Sequence, residues 1–160
     1  MRDSVRLIDT KSSPATTSRA LNTHARTIEM YDNIGVLGDI APFGTRVNAF
    51  VRHNPDGPAR LEYEYDGLTT RFPYMFFVDQ VITERVLRGH AAVEGALVEW
   101  NTTLRTFTQD SHGVDALLDH ADGRTESIRA QYIFGGAMAG IPSSARPWDC
   151  RCKARRLTLG

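Results

Sequence analysis

The chain has 160 residues, 41% hydrophobic and 24% charged, with 19 Lys plus Arg against 19 Asp plus Glu. That composition allows one core of modest size and gives no net field to draw the chain to nucleic acid or an anionic membrane. No apolar run approaches the ~20 residues of a membrane helix, and no signal-peptide core is present at the start, so a cytoplasmic protein of one domain, or part of one, is expected. Cys150 and Cys152, the only cysteines, are too close to staple a core and too few to complete a zinc site alone.

In chain order, Val5 to Asp9 reads as a short strand ending in an acid, followed by a Ser/Thr/Pro-rich loop from Lys11 to Thr17. Asn22 to Asn33 has helical character, with Ile28 and Tyr31 on its narrow apolar side and Gly35 placed to end it. Val36 to Ala41 adds a short helical turn, broken at Pro42-Phe43-Gly44. Two strands are expected around the turn formers Asn54 to Pro58, one through Val47, Phe50 and Val51 and one over Leu61 to Tyr65, where Tyr63 and Tyr65 share a face.

Apolar Tyr74 to Val78 comes next. Asp79 is then well placed to cap a helix running through His90, with Ile82, Val86 and Ala91 facing one way. Ala96 to Gln109 reads as a strand with a bulge, and Gly113 to His120 and Thr125 to Phe134 face each other across an Asp-Gly turn, giving a β-meander. From Gly135 periodicity disappears. The five basic residues from Arg146 onward, against Asp149 alone, leave the tail at net +4 and the rest at −4, and disorder is expected there.

No hydrolytic or metal-binding constellation is present. The five histidines are scattered singly, and Ser143-Ser144 lacks the Gly-x-Ser-x-Gly elbow. Neither His-Glu-x-x-His nor a Walker loop occurs. A strand ending in an acid, as at Asp9, is what a dinucleotide fold uses to accept hydrogen bonds from adenosine ribose hydroxyls. A terminal Asp that simply holds a turn is the competing reading. The Gly-x-Gly-x-x-Gly turn that precedes such an acid by roughly 20 residues is not in the sequence.

The ordered set Ser18-Arg19-Ala20, Arg26-Thr27-Ile28-Glu29, Gly35, Phe72-Pro73-Tyr74, Asp79-Gln80-Val81 with Glu84 and Leu87, and a meander ending in Arg129 to Ile133 resembles the class A FAD-dependent aromatic-ring monooxygenases, in their phenol and polyketide hydroxylase flavour. The resemblance covers Val5 to Gly136 and lies in order and spacing. It implies an α/β fold: a partial FAD-binding three-layer region without its N-terminal βα unit, over 1–44, substrate-region strands over 45–75, and a return to the FAD-binding region over 76–136. It implies FAD as cofactor, with Asp9, Arg19 and Gln80 as cofactor-binding residues. Arg19 would lie near the flavin and its phosphates, and Gln80 on the ribityl chain. Glu29 and Glu84 match as structural residues, paired with Arg26 and Arg88. No catalytic side chain and no metal are expected. The family's activity is NADH- or NADPH- and O2-dependent hydroxylation of a small aromatic substrate through a flavin C4a-hydroperoxide, with Tyr63, Tyr65, Phe72 and Phe77 either roofing the substrate or serving as ordinary core.

The sequence departs from the family after the meander. Where a Gly-Asp-Gly segment belongs, Gly135-Gly136-Ala137-Met138-Ala139 stands instead. With permitted codons, a shifted frame across Ala137 to Pro142 reads Asp-Gly-x-His-Ser, so 137–160 is expected to be an out-of-frame or disordered tail. Two further readings stay open: a non-enzymatic remnant or small binding module without FAD, and complementation by a separately encoded N-terminal fragment.

Overall fold

The computed structural model describes residues 5–53, 57 and 60–135, the side chains of 50–53 and 60–63 excepted. The tail reading, the two cysteines and the orientation of Tyr63 lie outside this range. The chain divides into two compact units, one of 1–13 with 96–160 and one of 14–95.

In the first unit, β1 (Leu7–Asp9) pairs in parallel with β7 (Val98–Trp100), Leu7 opposite Val98 and Asp9 opposite Trp100. The single strand expected over 96–109 is interrupted by Asn101, which takes a left-handed conformation at φ 55, one that Asn tolerates better than most residues. The chain resumes as β8 (Thr102–Asp110), which forms an antiparallel meander with β9 (Gly113–His120) and β10 (Thr125–Ala130) in the order β10-β9-β8. The expected bulge is present between Leu104 and Thr106. The Asp-Gly hairpin also holds: Asp122 accepts from the Arg124 N–H at 2.9 Å, and Gly123 supplies the left-handed residue at φ 82. β10 stops at Ala130, short of the expected Phe134. Val114, Ala116 and Leu118 alternate along β9 as its buried face.

The second unit begins with β2 (Asn22–Thr23) and α1 (Ala25–Asn33). The helix therefore starts three residues later than expected, because Asn22 and Thr23 pair with Phe77 and Phe76 instead. Gly35 ends α1 as read from the sequence: at φ 79 it lets its own N–H reach Asp32 O at 3.0 Å and the Val36 N–H reach Tyr31 O at 2.9 Å. These are the two bonds of a Schellman cap, with Val36 and Tyr31 as its apolar pair. α2 (Leu37–Ile40) and a 3-10 turn (Ala41–Phe43) follow. β3 (Thr45–Val47) and β2 flank β6 (Met75–Phe77) in an antiparallel sheet, and β4 (Ala49–His53) pairs with β5 (Arg60–Glu64).

α3 (Gln80–Val93) starts at Asp79, whose Oδ1 accepts from the Val81 N–H at 2.8 Å, the N-cap bond that the sequence predicts. Ile28, Val36, Ile40, Tyr74, Phe76 and Val78 form the core, with Tyr31, Phe72, Ile82, Val86 and Leu87 packed on it. The helix pairs expected at Arg26 with Glu29 (2.9 Å) and Glu84 with Arg88 (3.6 Å) are both formed. Glu29 also accepts from Thr70 Oγ1 at 2.5 Å.

Two substitutions test this packing by urea unfolding. Asp79→Ala removes the cap of α3 and is expected to cost about 1 kcal/mol. At Gly44 a Cβ would run into the Phe76 ring and lie 2.8 Å from the Phe77 carbonyl oxygen, so Gly44→Ala is expected to cost about 1–3 kcal/mol through overpacking.

Candidate functional site

The first turn of α3 is built by the loop that precedes β2. The Gln80 N–H has no acceptor within its own helix and donates to Ser18 Oγ at 3.0 Å. That hydroxyl in turn donates to Ala20 O at 2.9 Å. Two residues earlier in the chain than α3, the Val78 N–H donates to Leu21 O at 3.0 Å. Residues 18–21 are thus laid along the strand-to-helix corner, and Arg19 is carried next to Gln80: the Arg19 N–H donates to Gln80 Oε1 in a long bond of 3.4 Å. With its oxygen turned to the loop, the Gln80 amide keeps both N–H donors for another acceptor. Arg19 and Gln80 are both exposed, and the helix N-terminus beside them favours negative charge.

Two of the three residues expected to bind cofactor are therefore brought together. The third, Asp9, belongs to the other unit. It ends β1 and is half-buried, and its Oδ1 accepts from the Lys11 N–H at 2.9 Å. This is the turn-holding role the sequence allowed for, and it occupies one of the two carboxylate oxygens. Sequence reasoning quoted Ser18 without giving it a task; the signal was its hydroxyl in a loop preceding a helix whose first N–H groups need acceptors.

A recess of about 480 Å³ lies in the region expected to hold substrate strands, lined by Asn48, Ala49, Glu64, Asp66, Pro73 and Tyr74. Of the described aromatics singled out for a substrate wall, Tyr65, Phe72 and Phe77, none is in that lining. Phe72 packs on the core and meets Tyr74 edge-on at 6.2 Å between centroids. Tyr74 lines the recess, with the Arg46 guanidinium 4.7 Å from its ring centroid. The sequence shows it in the Phe72-Pro73-Tyr74 run and at the start of the apolar 74–78 segment, without a place in the substrate wall.

In the first unit, Arg6 grips two acids. Its Nε and Nη2 donate to Glu99 at 2.7 and 2.6 Å, and its Nη1 and Nη2 to Glu126 at 2.9 and 3.2 Å. His120 Nε2 lies 2.9 Å from Glu126 Oε2. Hydrogen bonds from Arg6 first, and then from His120, hold the Glu126 carboxyl down at about 2. Glu99 is also lowered, chiefly by Arg6, and the Arg6 guanidinium is raised in return. The sequence gives these residues no joint role, because the partners of Arg6 are 93 and 120 positions away.

A family model described as an FAD binding domain matches residues 3–146. The 6-methylpretetramide 4-monooxygenase of Streptomyces rimosus is 35% identical over 132 residues, 82% of this chain and 24% of that protein. The chain belongs to the FAD-dependent aromatic-ring monooxygenase family. Pentachlorophenol 4-monooxygenase of Sphingobium chlorophenolicum is 32% identical over 89% of the chain and 26% of its own length. The structure of an anhydrotetracycline hydroxylase from Streptomyces rimosus matches with TM-score 0.70 and 26% identity, over 79% of this chain and 25% of that one. The mixed α/β architecture of this family member is thus that of the FAD-binding monooxygenase fold. The chain spans about a quarter of the length of the curated relatives it matches. FAD is the family's cofactor, and the donor set suits it: a cation and amide N–H groups for an anionic, hydroxyl-bearing molecule, and a carboxylate for ribose hydroxyls. Among the described residues no cluster of His, Cys, Asp and Glu is arranged to hold a metal, and no helix is long and apolar enough to cross a membrane.

The Glu126 environment generates a pH prediction. Its folded-state value, about 2, lies below the ordinary 4.5, so the stability it contributes is fully present above about 4.5 and is lost as pH falls toward about 2. In Glu126→Gln that dependence disappears. Urea midpoints measured between about pH 5 and pH 2.5 should therefore fall more steeply for the wild type than for the variant.

Proposed function

We propose that this chain carries FAD contacts of an aromatic-ring hydroxylase, with Arg19 and Gln80 on the flavin side and Asp9 on the adenosine ribose. The observation that supports the reading is the bonding of residues 18–21 to the corner where α3 starts, which sets Arg19 beside Gln80 with the Gln80 side-chain oxygen on the loop. Arg19 neutralises charge on an anionic cofactor, since a guanidinium keeps its charge at any working pH and offers a fork of donors. Gln80 donates to a hydroxyl. The carboxylate oxygen of Asp9 not engaged by Lys11 accepts from a ribose hydroxyl.

FAD, when bound, supplies the redox and oxygen-activating chemistry, with NADH or NADPH as reductant. The chain's own residues bind and orient, which is why no triad is needed. In this reading 45–75 contribute to the substrate region, and the recess that Tyr74 helps to line takes a small aromatic ring. The protein works in the cytoplasm.

Titration of FAD fluorescence with the purified chain tests the proposal. Saturable quenching is expected, with Arg19→Ala raising the Kd by about tenfold or more, the loss of one charge-assisted contact. A folded sample that leaves FAD fluorescence unchanged would sink the cofactor reading and leave a binding module without flavin.

A further inference from the structure

β1 is three residues long and joined to its neighbour by three parallel pairs. Such a ladder is a weak register lock, since a slip of one residue displaces a strand by about 3.3 Å and turns each side chain to the opposite face. Ribose recognition by Asp9 needs hydrogen-bond geometry good to a few tenths of an ångström, so something outside the ladder has to hold the strand in place.

Arg6 is the residue directly before β1 and lies on the same side as Ile8 by strand alternation. Glu99, which takes both Nε and Nη2 of its guanidinium, is the ladder partner of Ile8. Glu126, which takes Nη1 and Nη2, stands on β10 opposite Leu118 and is held from the other side by His120 of β9. One cation therefore fixes the approach of β1 to both β7 and the meander. Its side chain is 38% exposed, and those of Glu99 and Glu126 are 35% and 26% exposed. A forked, part-shielded network of this kind holds geometry in a way that a single surface ion pair does not. After Asp9 a second anchor follows: the Asn101 N–H donates to Lys11 O at 2.8 Å, and Thr103 Oγ1 donates to Thr10 Oγ1 at 3.3 Å.

We propose that Arg6 is a positioning residue for cofactor recognition: by clamping β1 between Glu99 and Glu126 it sets Asp9 for the adenosine ribose, and so gives the chain its preference for a dinucleotide flavin over a mononucleotide. The inference rests on the FAD reading above. It differs from a purely stabilising role in what it predicts, because FMN has no adenosine half and makes no use of Asp9.

The test compares Kd values of the purified chain for FAD and FMN by fluorescence titration. Arg6→Met is expected to weaken FAD about tenfold while FMN stays within about twofold, and Arg6→Lys, a point charge without the fork, to fall between Arg6→Met and wild type. If Arg6→Met does not fold, Glu126→Gln carries the comparison, with a loss of about threefold confined to FAD. Parallel weakening of FAD and FMN, or an unchanged FAD preference, would overturn the role of Arg6 alone. A wild-type chain that binds FAD no better than FMN, or an Asp9→Asn variant that keeps the full preference, would overturn the ribose reading and the inference with it.

Discussion

Two donors that a helix cannot satisfy by itself organise the functional part of this chain. The N–H groups at the start of α3 need acceptors, and they find them in the Asp79 carboxylate and the Ser18 hydroxyl. The first bond is local and fixes where the helix begins. The second spans 62 positions and brings the loop of residues 18–21 onto the corner between β6 and α3. Arg19 is exposed, and its place is set by its own N–H on Gln80 and by the bonds of Ser18 and Leu21 beside it. Because β6 is the middle strand of its sheet and supplies Met75 and Phe76 as buried residues, the corner rests on the best-packed part of the unit.

Much of this was legible in the sequence, and the legible parts share a cause. Gly35, Asp79 and the Asp122-Gly123 turn act through bonds only two to five residues away, so residue type and spacing suffice to read them. The apolar pair Ile28 and Tyr31 and the stripe of Ile82 and Val86 also follow from helical periodicity. What went unread depends on partners far along the chain. Asn22 and Thr23 were taken into the helix because nothing local shows that Phe76 and Phe77 offer them a strand. The break at Asn101 was read as continuous strand, since an Asn among alternating residues does not announce a positive φ. Tyr74 belongs to the core and also lines the recess, and only the fold shows that one ring does both.

The same distinction holds for the site. Asp9 is read from a strand that ends in an acid, and Arg19 and Gln80 from a family resemblance; the pairing of Arg19 with Gln80 then follows from a bond network that no spacing rule contains. The Arg6, Glu99, Glu126 and His120 group came from neither. Its members lie on four separate segments, each unremarkable alone, and only the packing of β1 against β7 and β10 gathers them.

The bulge in β8 shows how chain length itself can carry structural information. Before it, Leu104 stands opposite Leu118; after it, Phe107 stands opposite Ala116, so residues of opposite parity share the sheet face that β9 buries. Arg105 is the extra residue that makes the switch, and its exposed side chain reaches Asp119 at 2.7 Å. Many residue types could occupy position 105, but the position cannot be removed: a one-codon deletion there would restore strict alternation and swing either Leu104 or Phe107 into water. Tolerance to replacement and intolerance to loss thus coexist at one surface residue, which a substitution scan alone would record as unimportant.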